Sequence, residues 1–412
     1  MAIKTEKNMI AALDIGTSKV AALIAEIDEH QKIHVIGVGV QPSTGLKKGV
    51  IVNIDTTVSA ISKAVEEAEH MAGLRMRGVC VGIAGAHVRS FNSNGVVAVR
   101  GQEVSHIDVE RVIEAAKAMP IAVDQRILHI IPQEFLIDNQ AGIREPVGMS
   151  GVRLEAKVHI VTGAVSAAQN IVKCVHQCGL SVEDLVIEQL ASSYAVVSED
   201  EKELGVVLLD IGGGTTDISI FTEGAIRYTA SIPIAGSQVT SDIAHALRTP
   251  TQYAEAIKLQ HGVALTRLAN PDESIEVRSV GDRPARRLAM QTLAGVIEAR
   301  YEELLTLVDQ EIRASGFSAH IAAGVVLTGG GSKIPGVLAL AEEVFRMPVR
   351  LGVPDDISGM TEVVCSPEHA TGIGLLKYQV HQRQENTEMP APLESDERSV
   401  WQKMKGWFSR HF

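Results

Sequence analysis

The sequence predicts an α/β fold built as two duplicated halves, with a small α+β insertion in the first half. Three observations predict it. The chain opens with a buried strand ending in an acid, a Gly-Thr-Ser turn and a second strand, across Met9–Glu26. The same layout returns where Leu204-Gly-Val-Val-Leu-Leu-Asp210 runs into Gly212-Gly-Gly-Thr-Thr and a strand to Phe221. Between them, from about Ala86 to Val161, the pattern is different. A whole supersecondary unit recurring at this separation marks an internal duplication rather than a short-repeat array.

The elements follow in order. Strands are predicted at Met9–Asp14, Lys19–Glu26 and Ile33–Val40. In Asp55–Met71, Val58, Ile61, Val65 and Ala68 fall on one helical face. A strand at Arg77–Ala84 completes a βββαβ unit. The insertion, 86–162, holds alternating segments at Val96–Val99 and Ile127–Ile137, a helix near Asp108–Ala118 and a Gly/Pro-rich loop at Asn139–Gly151. A helical pattern resumes at Ser166–Cys178, so 1–85 and 163–200 make the first half. The second half is 201–235 and 316–380, interrupted by a mostly helical insertion, 236–315. Residues 381–398 are polar, acidic and Pro-containing, the composition of a flexible linker, and 399–412 form a separate tip.

Composition narrows the function. A formal net charge of −12 excludes a general nucleic-acid binder, which carries a basic footprint. Cys80, Cys174, Cys178 and Cys365 lack the spacing of paired zinc ligands and read as reduced thiols. The N-terminus has no signal-peptide layout, and no apolar run reaches the ~18–20 residues of a spanning helix. A cytoplasmic protein is the expectation.

One glycine turn after a strand is ordinary, because such turns often need positive φ. Here there are three in a set order. Asp14-x-Gly-Thr-Ser-Lys and Asp210-x-Gly-Gly-Gly-Thr-Thr-Asp each end a strand with an acid, whereas Thr328-Gly-Gly-Gly-Ser332 does not. Facing hairpins of this kind grip phosphates with backbone N–H groups, since glycine lets the main chain approach. Gly16, Thr17, Ser18, Gly212, Gly213, Gly214, Thr215 and Thr216 are the candidates. Asp14 and Asp210 are placed for hydrated Mg²⁺, which prefers few carboxylates and several waters, and Lys19 for a phosphate oxygen. The third turn, Gly329, Gly330, Gly331 and Ser332, meets purine and ribose, where a carboxylate has no use.

This order resembles the actin, Hsp70 and sugar-kinase superfamily through about residue 380. The resemblance implies an actin-like fold: duplicated ribonuclease-H-like domains around a nucleotide cleft, binding ATP. Glu188-Gln-Leu-Ala-Ser-Ser193 and Pro367-Glu-His-Ala-Thr-Gly-Ile-Gly374 resemble its two connecting motifs. Ala254-Glu-x-Ile-Lys258 resembles the helix bordering the adenosine in bacterial actins, which implicates Glu255 and Lys258. Glu188 and Asp217 fall near positions that orient the attacking water. A structural reading stays open, with Glu188 capping a helix and Asp217 bonding its hairpin; the enzyme expected is at most a slow ATPase.

Longer motifs select the relative. Ser43-Thr-Gly-Leu-Lys-Lys-Gly-Val-Ile51, His129–Phe135, Pro146–Leu154 and Ile232–Pro250 closely resemble FtsA, the bacterial cell-division actins. That resemblance implies self-association into protofilaments, capture of the C-terminal tail of the tubulin-like FtsZ and recruitment of later division proteins. Arg286, Arg287 and Arg300 are the candidates for gripping a partly acidic tail, with a solvated charged face as the alternative.

The tip has helical spacing. Trp401, Met404, Phe408 and Phe412 share a face flanked by Val400 and Trp407, with Lys403, Lys405 and Arg410 as its charges. A basic, aromatic, amphipathic helix beyond a polar linker reads as an in-plane anchor on anionic lipids, with a helix docked on its own domain or on a partner protein as alternatives. The protein expected is thus peripheral to the cytoplasmic face of the inner membrane, at the division site. A pilus-assembly actin and an actin-fold small-molecule kinase are the competing functions; an Hsp70-type chaperone is not expected, since it would need room for a further domain after the nucleotide domain.

Overall fold

The computed structural model describes residues 8–281 and 284–388. The first half is entered through β1 (Met9–Ile15), β2 (Lys19–Ile27) and β3 (Ile33–Pro42), followed by the short pair β4 (Leu46–Lys47) and β5 (Val50–Ile51). Helix α1 (Ile54–Ala72) then crosses the sheet to β6 (Gly78–Ile83). Its limits are written in the sequence: Asn53 caps the first turn by accepting from Thr56 N, and Gly73 ends the helix at φ 67°. The buried face, Ile61, Ala64, Val65 and Ala68, is made of small and branched apolar residues, so α1 packs closely on β3.

The inserted unit follows: β7 (Arg89–Ala98), α2 (His106–Lys117), β8 (Gln125–Ile137), β9 (Gln140–Ile143) and β10 (Arg153–Ala164). Its sheet runs β7-β10-β8-β9, so its last strand lies between its first two. Helix α2 starts at a reciprocal capping box between Ser105 and Asp108. A separate apolar core, including Val112, Phe135, Leu154 and Val158, holds α2 on this sheet.

The chain returns through α3 (Val165–Gln177), β11 (Ser181–Ile187), α4 (Glu188–Val196) and α5 (Glu199–Leu204). The first sheet is ordered β11-β6-β1-β2-β3, extended by the late strand β19 (Ile357–Ser358) beside β3. The second half repeats the plan with β12 (Val206–Ile211), β13 (Thr216–Thr222) and β14 (Ala225–Ile232). Next come α6 (Gly236–Ala246), α7 (Thr251–His261), a hairpin of β15 (Ser274–Val277) and β16 (Arg286–Ala289), and α8 (Met290–Ala314). The region read as mostly helical therefore also carries a two-stranded hairpin. Strand β17 (Gly324–Thr328), α9 (Val337–Phe345) and β18 (Val349–Leu351) complete a sheet ordered β14-β13-β12-β17-β18. In both halves an antiparallel hairpin pairs with a later parallel strand: β1 with β2 and β6, β12 with β13 and β17. This is the actin-like α/β plan the repeated motif predicts.

Short α10 (Thr361–Val364) precedes α11 (Ala370–Glu388), which packs on α4 and β1. The helix continues to Glu388, past the point where a linker was expected to begin at 381. Gln379 Nε2 donates to Ala11 O at 3.1 Å and Arg383 to Met9 O at 3.0 Å, so contacts with the core carry the helix into that polar stretch. The rest of the expected linker, and the anchor residues Val400, Trp401, Lys403, Met404, Lys405, Trp407, Phe408, Arg410 and Phe412, lie outside the described residues. Among the described residues no helix is long and apolar enough to cross a membrane.

The inserted sheet also meets the second half. Ser90 Oγ donates to Thr229 O (2.9 Å), Asn92 Nδ2 to Arg227 O (3.1 Å) and Gln133 Nε2 to Ile226 O (2.8 Å). Side chains of the insertion thereby satisfy the main chain of the edge strand β14. His159 bridges Asn92 Oδ1 (2.8 Å) and Thr229 Oγ1 (3.1 Å). Asn92 Oδ1 only accepts, so His159 Nδ1 donates to it; burial holds the ring neutral, which leaves Nε2 to accept the threonine hydroxyl.

Candidate nucleotide site

The three glycine turns meet where the two sheets face each other. In the first hairpin Gly16 N donates to Lys19 O at 2.9 Å; in the second Gly212 N donates to Thr215 O at 3.0 Å. The hairpins approach so closely that a methyl on Gly213 would overlap Ser18 Oγ, and one on Gly214 would overlap Thr17 Oγ1. Only glycine fits there. The third turn is held from α8, where the buried Tyr301 donates its hydroxyl to Gly331 O at 2.7 Å, and Ser332 Oγ closes on Gly329 O at 2.7 Å.

Four carboxylates gather at this junction. Asp14 and Asp210 are the penultimate residues of β1 and β12; Asp217 is cross-strand partner to Asp210, and Glu188 opens α4. Burial pushes Asp14 up to about 6 against the pull of Lys19, with the Asp210 charge adding to the rise. Burial, with Asp210 nearby, pushes Asp217 up to about 7. Glu188 is raised well above the carboxylate range by burial and by Asp14, Asp217 and Asp210. Asp210 is raised by burial, which hydrogen bonds from Ser192 and Thr371 and the charge of Lys19 oppose. Lys19 itself is lowered by burial, and its Nζ lies 3.5 Å from His369 Nδ1. Buried carboxylates outnumber the ammonium here, so the site favours an added cation. Among the described residues no three His, Cys, Asp or Glu side chains form a direct ligand cluster. Two aspartates with water completing the shell is the donor set that suits Mg²⁺.

The proposed adenosine side is linked to the second hairpin. Lys258 Nζ, on α7, donates to Gly236 O (3.1 Å) and Thr240 Oγ1 (2.9 Å) and pairs with Glu255 Oε2 at 2.8 Å. Glu255 accepts from Thr240 Oγ1, and Gly236 N donates to Gly212 O at 3.1 Å.

The sequence model of the family described as "Cell division protein FtsA" matches residues 207–374, and that of the "SHS2 domain inserted in FTSA" matches 85–162. The cell division protein FtsA of Pseudomonas aeruginosa is 57% identical over 417 residues, covering 100% of both chains. The chain belongs to the FtsA family. FtsA of Escherichia coli K12 is 48% identical over 381 residues, 91% of each chain. Solved structures of lower identity share the fold. The PilM–PilN type IV pilus biogenesis complex aligns with TM-score 0.66 at 16% identity, over 90% of this chain and 98% of that one. MreB5 of Spiroplasma citri bound to ADP aligns with TM-score 0.57 at 14% identity, over 93% and 100%.

In this FtsA chain the partner candidates are unequal. Arg300 is engaged by Asp242 and Glu303, and Arg286 donates to Leu247 O. Arg287 is exposed on β16, and none of the ion pairs among the described residues includes it. Glu188 does not cap α4: the N-cap is Ile187, without a side-chain bond. Its Cγ lies 3.2 Å from where a Gly82 Cβ would be. Sequence reasoning gave no role to Gln189, Ser192, Thr371 and Tyr301. Three of them lie inside or beside the connecting motifs, but only the fold shows that they reach Asp217, Asp210 and the third glycine turn.

Proposed function

We propose that this FtsA is an ATP-binding, actin-like scaffold of cell division. It assembles on the cytoplasmic face of the inner membrane through residues 399–412, holds the FtsZ C-terminal tail on the insertion at 236–315, and recruits later division proteins. The observation that carries the nucleotide reading is the close apposition of Ser18 with Gly213 and of Thr17 with Gly214, a cradle of main chain that a side chain would fill. Backbone N–H groups there suit phosphate oxygens. Lys19 adds a point charge, and Glu255 and Lys258 border the sugar and base. Asp14 and Asp210 would hold Mg²⁺ through water; the ion, when bound, offsets charge on the phosphates.

Self-association explains how a weak tip serves. Each of Lys403, Lys405 and Arg410 contributes about 1 kcal/mol near an anionic leaflet, and the aromatic face adds a few kcal/mol less the cost of ordering the helix. One tip is therefore a reversible anchor. A filament carries many, and its avidity rises by about 10²–10⁴ without new contacts.

Co-sedimentation with anionic vesicles tests the tether, using the full chain and a chain ending at Arg398, each with FtsZ and Mg-ATP. The full chain is expected to bring FtsZ down and the shortened chain to leave it in solution. Vesicle binding without FtsZ would remove the tether; equal vesicle binding by both chains would remove the anchor.

A further inference from the structure

Lys19 is half-buried at the start of β2, and its ammonium has an uncharged partner. Asp14, Glu368 and Asp210 all act on its charge, yet none of the ion pairs among the described residues includes it. Its hydrogen bond goes instead to His369 Nδ1, at 3.5 Å. An ammonium only donates, so Nδ1 accepts and the neutral ring carries its proton on Nε2. His369 is 5% exposed, and burial, joined by the Lys19 charge, pushes it down to about 4, so it stays an acceptor at neutral pH.

The ring is held from behind. His369 N donates to Ser366 O at 2.9 Å, and Pro367 O accepts from Gly329 N (3.1 Å) and Thr328 Oγ1 (3.2 Å). Glu368 pairs with Lys333 at 3.1 Å. Residues 367–369 are thus fastened to the third glycine turn while the imidazole reaches the first hairpin. A lysine ammonium has three N–H donors; with one on His369, two remain for phosphate oxygens. Without that acceptor the flexible lysine stem would let the ammonium settle on a nearby carboxylate. Such an internal ion pair would have to break before phosphate and Mg²⁺ could bind. We propose that His369 is a positioning residue for nucleotide binding: it accepts from Lys19 and holds that ammonium off Asp14 and Asp210, so the phosphates meet a charge already in place. This rests on the ATP reading given above.

The test titrates the full chain with Mg-ATP by calorimetry. His369→Phe keeps a ring and removes the acceptor; His369→Asn puts an oxygen acceptor about where Nδ1 stands. The Phe variant is expected to bind ATP about tenfold more weakly, the loss of one hydrogen bond to a charged group, and the Asn variant within about threefold of the parent. In a Lys19→Met background the Phe substitution is expected to make no further difference. Nitrogen NMR of the nucleotide-free chain gives a second readout, which carries the test if thermal melts show the Phe variant unfolded. There the unprotonated Nδ1 of His369, assigned by its absence in the Asn variant, is expected to shift in Lys19→Met. A Phe variant that binds as the parent does, or an Asn variant no better than Phe, overturns the inference and leaves the ATP reading intact. So does a loss that persists undiminished in Lys19→Met, or an Nδ1 resonance that does not move. A parent that binds no ATP overturns both.

Discussion

The Ser192 hydroxyl donates to Asp210 Oδ2 at 2.6 Å, and Thr371 Oγ1 reaches the same oxygen at 3.3 Å. Ser192 belongs to α4 and Thr371 to α11, so the helices that carry the two connecting motifs converge on one carboxylate of the second half. These bonds offset the burial that raises Asp210. Ser192→Ala is expected to weaken Mg-ATP affinity about tenfold, the loss of one hydrogen bond to a charged group. Calorimetric titration measures it. Ser193→Ala, which loses only a bond to Leu190 O, is expected to leave affinity near the parent value.

Gly213→Ala places a methyl on Ser18 Oγ and forces the two hairpins apart. Nucleotide affinity is expected to fall at least tenfold, because the cradle must open along its length. Gly101→Ala is the matched control in the insertion, where the nearest atoms to an added methyl are 3.6 Å and 3.8 Å away. It is expected to bind normally. Equal effects would mean that hairpin apposition has no part in binding.

His159 links the insertion to β14 as a neutral ring, and burial lowers its pKa to about 4. An unfolded histidine takes its proton near 6.5, so the unfolded state binds more protons between about 6.5 and 4. Stability from this site is complete above about 6.5 and declines as pH falls through that window, by on the order of 3 kcal/mol at most. Chemical denaturation of the parent and His159→Gln at pH 7.5 and 5 checks it. The variant is expected to lose less stability on acidification.

Arg300 is committed to Asp242 and Glu303, whereas Arg287 is exposed on the β15–β16 hairpin. Under the tether reading Arg287→Ala is expected to weaken binding of an FtsZ tail peptide more than Arg300→Ala does. Surface ion pairs contribute about 0–1 kcal/mol, so Arg300→Ala is expected to shift stability little. Fluorescence anisotropy with labelled peptide separates the two, and the reverse order would move the site off the hairpin.

The halves were legible because a hairpin closed by Asp-x-Gly is local: Asp14 and Asp210 each lie within a few residues of the turn they define. What crosses between elements was not. Gln189 reaches Asp217 over a separation of 28 residues and Ser192 reaches Asp210 over 18, and no local periodicity encodes those contacts. The order β7-β10-β8-β9 is equally non-local, since β10 inserts between strands already made. The four-residue strands β15 and β16 are too short to register as alternation beside the long α8. Polar composition from His381 onward suggested a linker, but Gln379 and Arg383 hold that turn of α11 to β1.

The central claim is that the two hairpins and the third glycine turn form one ATP site, and calorimetric titration of the full chain with Mg-ATP tests it most directly. The account predicts one ATP per chain, with affinity at least tenfold lower in Gly213→Ala and weakened when Mg²⁺ is withdrawn. A parent chain that takes up no nucleotide, or a Gly213→Ala chain that binds as the parent does, would contradict it.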